Sequence, residues 1–472
     1  MSGFLKTSHV GFVVCCVFLA FAAPVDGATF TVNTTTDLGD SNPGDGVCSA
    51  SGVFCTLRAA FEESNALGGS NRIILPEGTY VLTLDWITVF YDVDLEGAGA
   101  ASCIVDGNGS SSVFRVWTLA TLRASGLTVQ NGMAGIVGGG FDVHASTLIL
   151  EDVVVRNNSA PYTGFGAGIS NQNGTVTITR STLSGNVANR EGGAIWSNGD
   201  LTVVETEITG NTADVGGGLV ANGTTVLTDV IISANAANGY YSTDRWQGGG
   251  GMFSNSQTVT LERATFENNT SKIGGGIHFE GTELTITNTT FTNNAGSLGG
   301  GAIHVSDTIQ HNLNLTNVTI AGNHDSGLGG GALSLGTTNT TVAIANTIIA
   351  DNGSNQCDSS SQIVSFGHNL ETTNTCGLNA TGDQVNTPAG LATIAANGGF
   401  TRTMALQPGS AAIDAGNDIG APTTDQRGVG RPQDGDDDGT ATSDIGAFEV
   451  EQPLFADGFE TGDTFMWSGW VP

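Results

Sequence analysis

Phe291-Thr292-Asn293-Asn294 is followed, after a short loop, by Gly300-Gly301-Ala302-Ile303-His304-Val305, and this pairing decides the fold. The first unit, apolar-x-x-Asn, recurs at Val155/Asn158, Leu183/Asn186, Ile208/Asn211, Ile232/Asn235, Phe266/Asn269, Ile320/Asn323 and Ile349/Asn352, at intervals of 24 to 34 residues. The second unit, glycines leading into an apolar residue, recurs at Phe141, Ile169, Ile195, Leu219, Met252, Ile277 and Leu333. Two interleaved units repeated this often mark a stacked architecture.

The residues after each glycine run alternate, as in Ile303-His304-Val305 and Leu333-Ser334-Leu335, and Thr175-Val176-Thr177-Ile178-Thr179 is β-branched throughout. A period of two excludes helical repeats and predicts about three short strands per coil, with Gly or Asn at the corners because these tolerate positive φ. One coil cannot bury its own apolar face, so the copies must stack at about 4.8 Å per coil. The fold expected over residues 73–355 is therefore all-β, a right-handed parallel β-helix whose repeated asparagines hydrogen-bond along the axis.

The 472 residues carry 45 Asp+Glu against 14 Lys+Arg, a formal net charge of -31. Lys6 and Lys272 are the only lysines, which excludes a basic nucleic-acid face and a polybasic membrane patch. Acidic polysaccharides are disfavoured for the same reason. Lys6 and the apolar run Gly11–Ala23, too short to span a bilayer, read as a signal peptide over residues 1–27. No other stretch is apolar enough to be a transmembrane segment, and the mature chain is expected to be secreted or held at the cell surface or outer membrane. Export makes disulfides expected at the local pairs Cys48/Cys55 and Cys357/Cys376, with Cys103 a buried thiol.

With GGAI at 192–195 and 300–303 and Phe-x-x-Asn at Phe266–Asn269 and Phe291–Asn294, residues 130–355 resemble polymorphic outer-membrane proteins, surface adhesins with β-helical passengers. Those proteins end in a membrane β-barrel, whose long alternating strands are not found here, so self-transport is not expected. Residues 28–80, with Gly44-Asp45-Gly46-Val47-Cys48 and Cys55-Thr56-Leu57-Arg58-Ala59-Ala60, resemble the CSLREA domain, departing at Thr56 and Ala59. Physically they read as a cap. Thr56 is placed to N-cap a helix with Leu57, Ala60, Phe61 and Ser64 on one face, ending near Gly68-Gly69 and covering the first coil.

Residues 356–400 read as terminal coils and loop. Residues 401–450 are similar to the choice-of-anchor Q domain through Leu406-Gln407-Pro408-Gly409-Ser410-Ala411-Ala412-Ile413-Asp414, Asp425-Gln426-Arg427-Gly428, Arg431-Pro432 and Asp444-Ile445-Gly446-Ala447-Phe448-Glu449. That similarity implies a bacterial surface protein. Residues 451–472 form a short tail.

Parallel β-helices also carry pectate lyases and polygalacturonases, so a polysaccharide lyase or glycoside hydrolase is the alternative function. Gly367-His368 is followed by Asn369 rather than Gly, no Arg-x-Lys occurs, and no residue qualifies as a catalytic base. Asp434, Asp436 and Asp438 precede Gly439 as in the first half of a calcium loop, with Ile445 at the twelfth position and Asp444 as a substitute ligand. Calcium is the one cofactor considered; otherwise none is expected.

If the apolar residue after each glycine run points inward, its successor points outward. Stacking then aligns Asp142, Ser170, Trp196, Val220, Phe253, His278, His304 and Ser334 in one outer stripe, with Glu280 on the face of His278. Trp196, Phe253, His278, Glu280 and His304 are the candidate binding residues for a glycan or surface protein, with binding expected to strengthen below about pH 6.5 as the histidines protonate. The chain is expected to be a monomer, adhesin-like or structural in the envelope. A third reading, ice binding through Thr-rich strands such as Thr175–Thr179, is opposed by the irregular coil lengths.

Overall fold

The computed structural model describes residues 27–117, 119–239, 248–306, 309–326, 329–336, 340–358 and 362–451. Residues 1–26, where the signal peptide was expected, and residues 452–472 of the tail lie outside the described residues. The chain forms a right-handed parallel β-helix with three parallel sheets of 24, 10 and 7 strands. The residues following the glycine runs make the ten-stranded sheet, in which Phe141, Ile169, Ile195, Leu219, Met252, Ile277, Ile303 and Leu333 pair in unbroken register. All eight are buried in one continuous core, as the inward assignment requires.

The asparagine ladder is complete. Nδ2 of each asparagine from Asn158 to Asn323 donates to Oδ1 of its successor at 2.9–3.1 Å, and Asn352 hands over to Oε1 of Gln356 at 3.1 Å. Every one is buried, so the ladder satisfies amides that would otherwise be costly there.

One corner differs from expectation. Where the largest sheet bends, positive φ is taken by Arg180 (46°), Glu205 (46°) and Arg263 (51°) as well as by asparagines. Charges from neighbouring coils compensate two of these positions: Arg180 lies 3.1 Å from Asp152, and Arg263 lies 2.8 Å from Asp229.

The helical cap spans Leu57–Leu67, with Thr56 Oγ1 accepting from the Ala59 amide and Gly68 ending it at φ 69°. Its Phe61 ring sits 5.7 Å from Phe114, closing the first coil. Arg58, on the helix, holds buried Asp37 at 2.7 Å, which fixes the preceding loop against it. The ladder begins one rung earlier than expected, because Thr29–Thr31 pairs with the strand Ser70–Leu75. Both local disulfides, Cys48–Cys55 and Cys357–Cys376, are formed, and Cys103 is a buried free thiol.

After the last coils the chain turns back and lies along the flank of the solenoid. Thr265 Oγ1 donates to the Arg402 carbonyl at 2.6 Å, Thr290 Oγ1 to Gln426 Oε1 at 2.7 Å, and the Ala447 amide to Thr319 Oγ1 at 3.0 Å. A second apolar core forms beneath it from Ala321, Ile348, Ala350 and Leu370 with Leu406, Ala412 and Ile445.

Candidate functional site

The expected stripe exists as a column. Asp142, Ser170, Trp196, Val220, Phe253, His278, His304 and Ser334 pair in register on the outer side of the ten-stranded sheet. It is not an open surface. Phe253 and His278 are buried, and Trp196 and His304 are only partly exposed.

The covering comes from the chain just before each glycine run. Val137, Phe165, Glu191 and Val215 bridge one another in parallel, and Gly248 bridges Ile273, making a further rung of backbone over the stripe. A glycine at positive φ makes the reversal possible in seven of the runs, at Gly138, Gly166, Gly192, Gly216, Gly249, Gly274 and Gly300: at Gly192 φ is 67°, and a Cβ there would stand 2.2 Å from the Ile195 carbonyl oxygen. Phe165 then packs 5.4 Å from Trp196, whose Nε1 donates to Glu191 Oε2 at 3.0 Å, and Val215 joins Val220 and Phe253 in a small apolar cluster.

Phe253, His278 and His304 meet edge to face, with centroids 5.3 and 5.0 Å apart. His278 Nε2 lies 3.3 Å from Glu280 Oε1, so the structure does bring this pair together. Burial, with the nearby His311, nevertheless pushes the His278 pKa down to about 3. Its ring stays neutral where a free imidazole titrates, so the expected gain of charge below pH 6.5 does not apply to it.

The other end of the same face carries a cluster that the sequence reading passed over. Buried Asp142 lies 2.9 Å from His144 Nε2 and 3.3 Å from Arg115 Nε, and it accepts from Gln172 Nε2 at 3.1 Å. Burial raises the Asp142 pKa, opposed by His144 and Arg115. The Arg115 guanidinium stacks on Trp86 at 3.5 Å, and Trp117 stacks on His144 at 4.3 Å and 11°. The signal was present in the alternation: Phe114-Arg115-Val116-Trp117 and Phe141-Asp142-Val143-His144 each offer two outward residues, of which the expected stripe had taken only Asp142.

The calcium candidate is rearranged. Asp434 and Asp436 converge with Asp414, their carboxylate oxygens within 4.8 Å, whereas Asp438 and Asp444 fall outside the cluster. Asp438 donates its amide to Asp434 Oδ1, and Asp444 is buried beside Asp414, Arg431 and Glu449. The Asp414, Asp434 and Asp436 carboxylates already accept backbone amides, and three carboxylates fall short of the roughly six to eight oxygens calcium takes. No spacing rule links Asp414 to a loop twenty residues on.

Among the described residues no helix is long and apolar enough to cross a membrane. No curated protein matches the chain. The crystal structure of pectate lyase Pel9A is similar at 16% identity, covering 90% of this chain and 98% of that one with a TM-score of 0.46. The Chlamydia polymorphic membrane protein repeat matches residues 263–280 and 288–306, which are coils of the ladder described above. The fold is thus a parallel β-helix similar, in these coils, to the polymorphic membrane proteins.

Proposed function

We propose that this is an exported bacterial protein of the cell surface or outer membrane, adhesin-like or structural, which recognises glycan or protein through an outer face of the solenoid. The observation that carries this reading is the register, which converts a repeat sequence into columns of outward side chains: Thr177, Thr202, Val226, Thr260 and Thr285 occupy successive coils of one sheet. Such a surface is extended and multivalent, which suits recognition of repetitive ligands. The match to a polymorphic membrane protein repeat and the CSLREA-like and choice-of-anchor Q-like segments favour the surface location. A net charge of -31 argues against nucleic acid as partner.

The test is binding of the purified mature chain to immobilised glycans and whole cells, with reducing-end and unsaturated-product assays run on the same polysaccharides. Retention without product supports recognition. Steady release of unsaturated ends or new reducing ends would replace it by the lyase or hydrolase reading.

A further inference from the structure

The ten-stranded sheet has a second outward column, two residues beyond the covered stripe. It runs through Phe90, Trp117, His144, Gln172, Asn198 and Asn222. Register carries it from coil to coil: the Trp117 amide donates to the Val89 carbonyl, His144 pairs with Gln172, and the Asn198 and Asn222 amides donate to the Asn171 and Ser197 carbonyls. Unlike the stripe, this column reaches solvent. Phe90 is 54% exposed, Asn198 is exposed, and the other four are partly exposed.

Its chemistry changes along the axis from flat rings to amides. Trp117 and His144 stack nearly parallel, face against face, which fixes the pair as a preorganised aromatic patch. Asp142 supports it from the buried side, holding His144 and Gln172 while Arg115 offsets its charge. Asn222, at the amide end of the column, has a buried Oδ1 with no hydrogen-bond partner among the described residues. These six residues carry no carboxylate and no lysine or arginine; the same register continues through Asn255 to Glu280, which is buried. A ligand matching this surface has flat apolar faces for the rings, hydroxyl groups for the amides, a linear repeat, and no charge that a strongly acidic protein would repel.

We propose that this column is a binding track for a linear, uncharged polysaccharide of pyranose units lying parallel to the solenoid axis. This rests on the recognition reading above and assigns its face and ligand class.

The experiment is affinity electrophoresis of the full mature chain through gels containing galactomannan, mixed-linkage β-glucan or polygalacturonate. A neutral polymer should retard the wild type, whereas Trp117→Ala should bind about tenfold or more weakly, as expected for loss of a central aromatic anchor. Asn198→Ala/Asn222→Ala should weaken binding without lowering the melting temperature, which guards against misfolding of the tryptophan variant. Val187→Ala, exposed on the seven-stranded sheet, should migrate as wild type. Equal retardation of the wild type and both track variants overturns the track but leaves surface recognition standing. Retardation by polygalacturonate alone overturns the ligand class. A wild type that binds no neutral polymer overturns the track, and if it also binds no other glycan and no cell surface, the recognition reading fails with it.

Discussion

Arg431 Nε lies 3.1 Å from Glu449 Oε2, and both side chains are almost completely shielded from solvent. The pair sits within the segment that lies along the flank of the solenoid. Around it are Asp444, Asp425 and Arg427, the last stacked 3.7 Å over Phe448. Burial dominates the carboxyls, pushing Glu449 up to about 7 and Asp444 up to about 6, even though Arg431 pulls the other way.

A carboxyl whose folded pKa exceeds its unfolded value of about 4 favours the folded state fully below that value, and loses the contribution as pH rises through the folded pKa. Docking of the flank segment should therefore weaken as pH rises from about 4 to about 7, the span between the unfolded and folded values. Hydrogen exchange at the Gly446 and Ala447 amides, which bond to Asn346 and Thr319, should show protection falling over that window after correction for intrinsic rates. Glu449→Gln should lose most of the slope above pH 6. A protection factor that is flat with pH contradicts the assignment.

Asn269→Ala should be among the costliest changes in the ladder. It removes the acceptor for both the backbone amide and the Nδ2 of Asn235, and the donor to the Ile232 carbonyl, all buried. Each orphaned group costs about 1–3 kcal/mol, so a loss of about 3 kcal/mol or more is expected from urea unfolding midpoints. Thr177→Ala, on the outer side of the sheet, should stay within about 0.5 kcal/mol.

Ile303 is fully buried between Ile277 and Leu333 in adjacent coils. Ile303→Asp would place an unpaired charge in the core and should cost several kcal/mol or abolish folding. Near-wild-type melting would contradict the inward register on which both outer columns depend.

Gly248 is where backbone crosses the stripe. A Cβ there would stand 2.1 Å from His278 Nδ1 and 2.5 Å from the Ile273 carbonyl oxygen, and the carbonyl belongs to the neighbouring rung. Gly248→Ala should destabilise by about 1–3 kcal/mol, the usual range for overpacking. It should also speed proteolysis between the coils of Phe253 and His278. An alanine variant with unchanged melting and protease resistance would show that the covering rung has room to yield.

The coil, its core and its ladder were legible in residues 130–355, because a solenoid repeats one local decision. Asn294 and Ile303 have the same surroundings as Asn269 and Ile277, so periodicity alone reveals which side chains point inward and which amides stack. The helical cap was legible too, since Thr56 and Gly68 act on their own backbone.

What lies outside the coils depended on distance in space. That Phe253 and His278 are outward yet buried follows from loops that reverse at the glycine runs, and alternation cannot distinguish an outer face in water from one under another layer. Asp414 joins Asp434 and Asp436, and Ile348 gains a second core from Ala412 and Ile445, because the flank segment turns back along the solenoid. Local sequence thus determined the ladder and the inward register, through backbone hydrogen bonding and burial repeated coil by coil. Which outer residues meet solvent was decided only by the tertiary structure, because it depends on where chain without a repeat comes to rest.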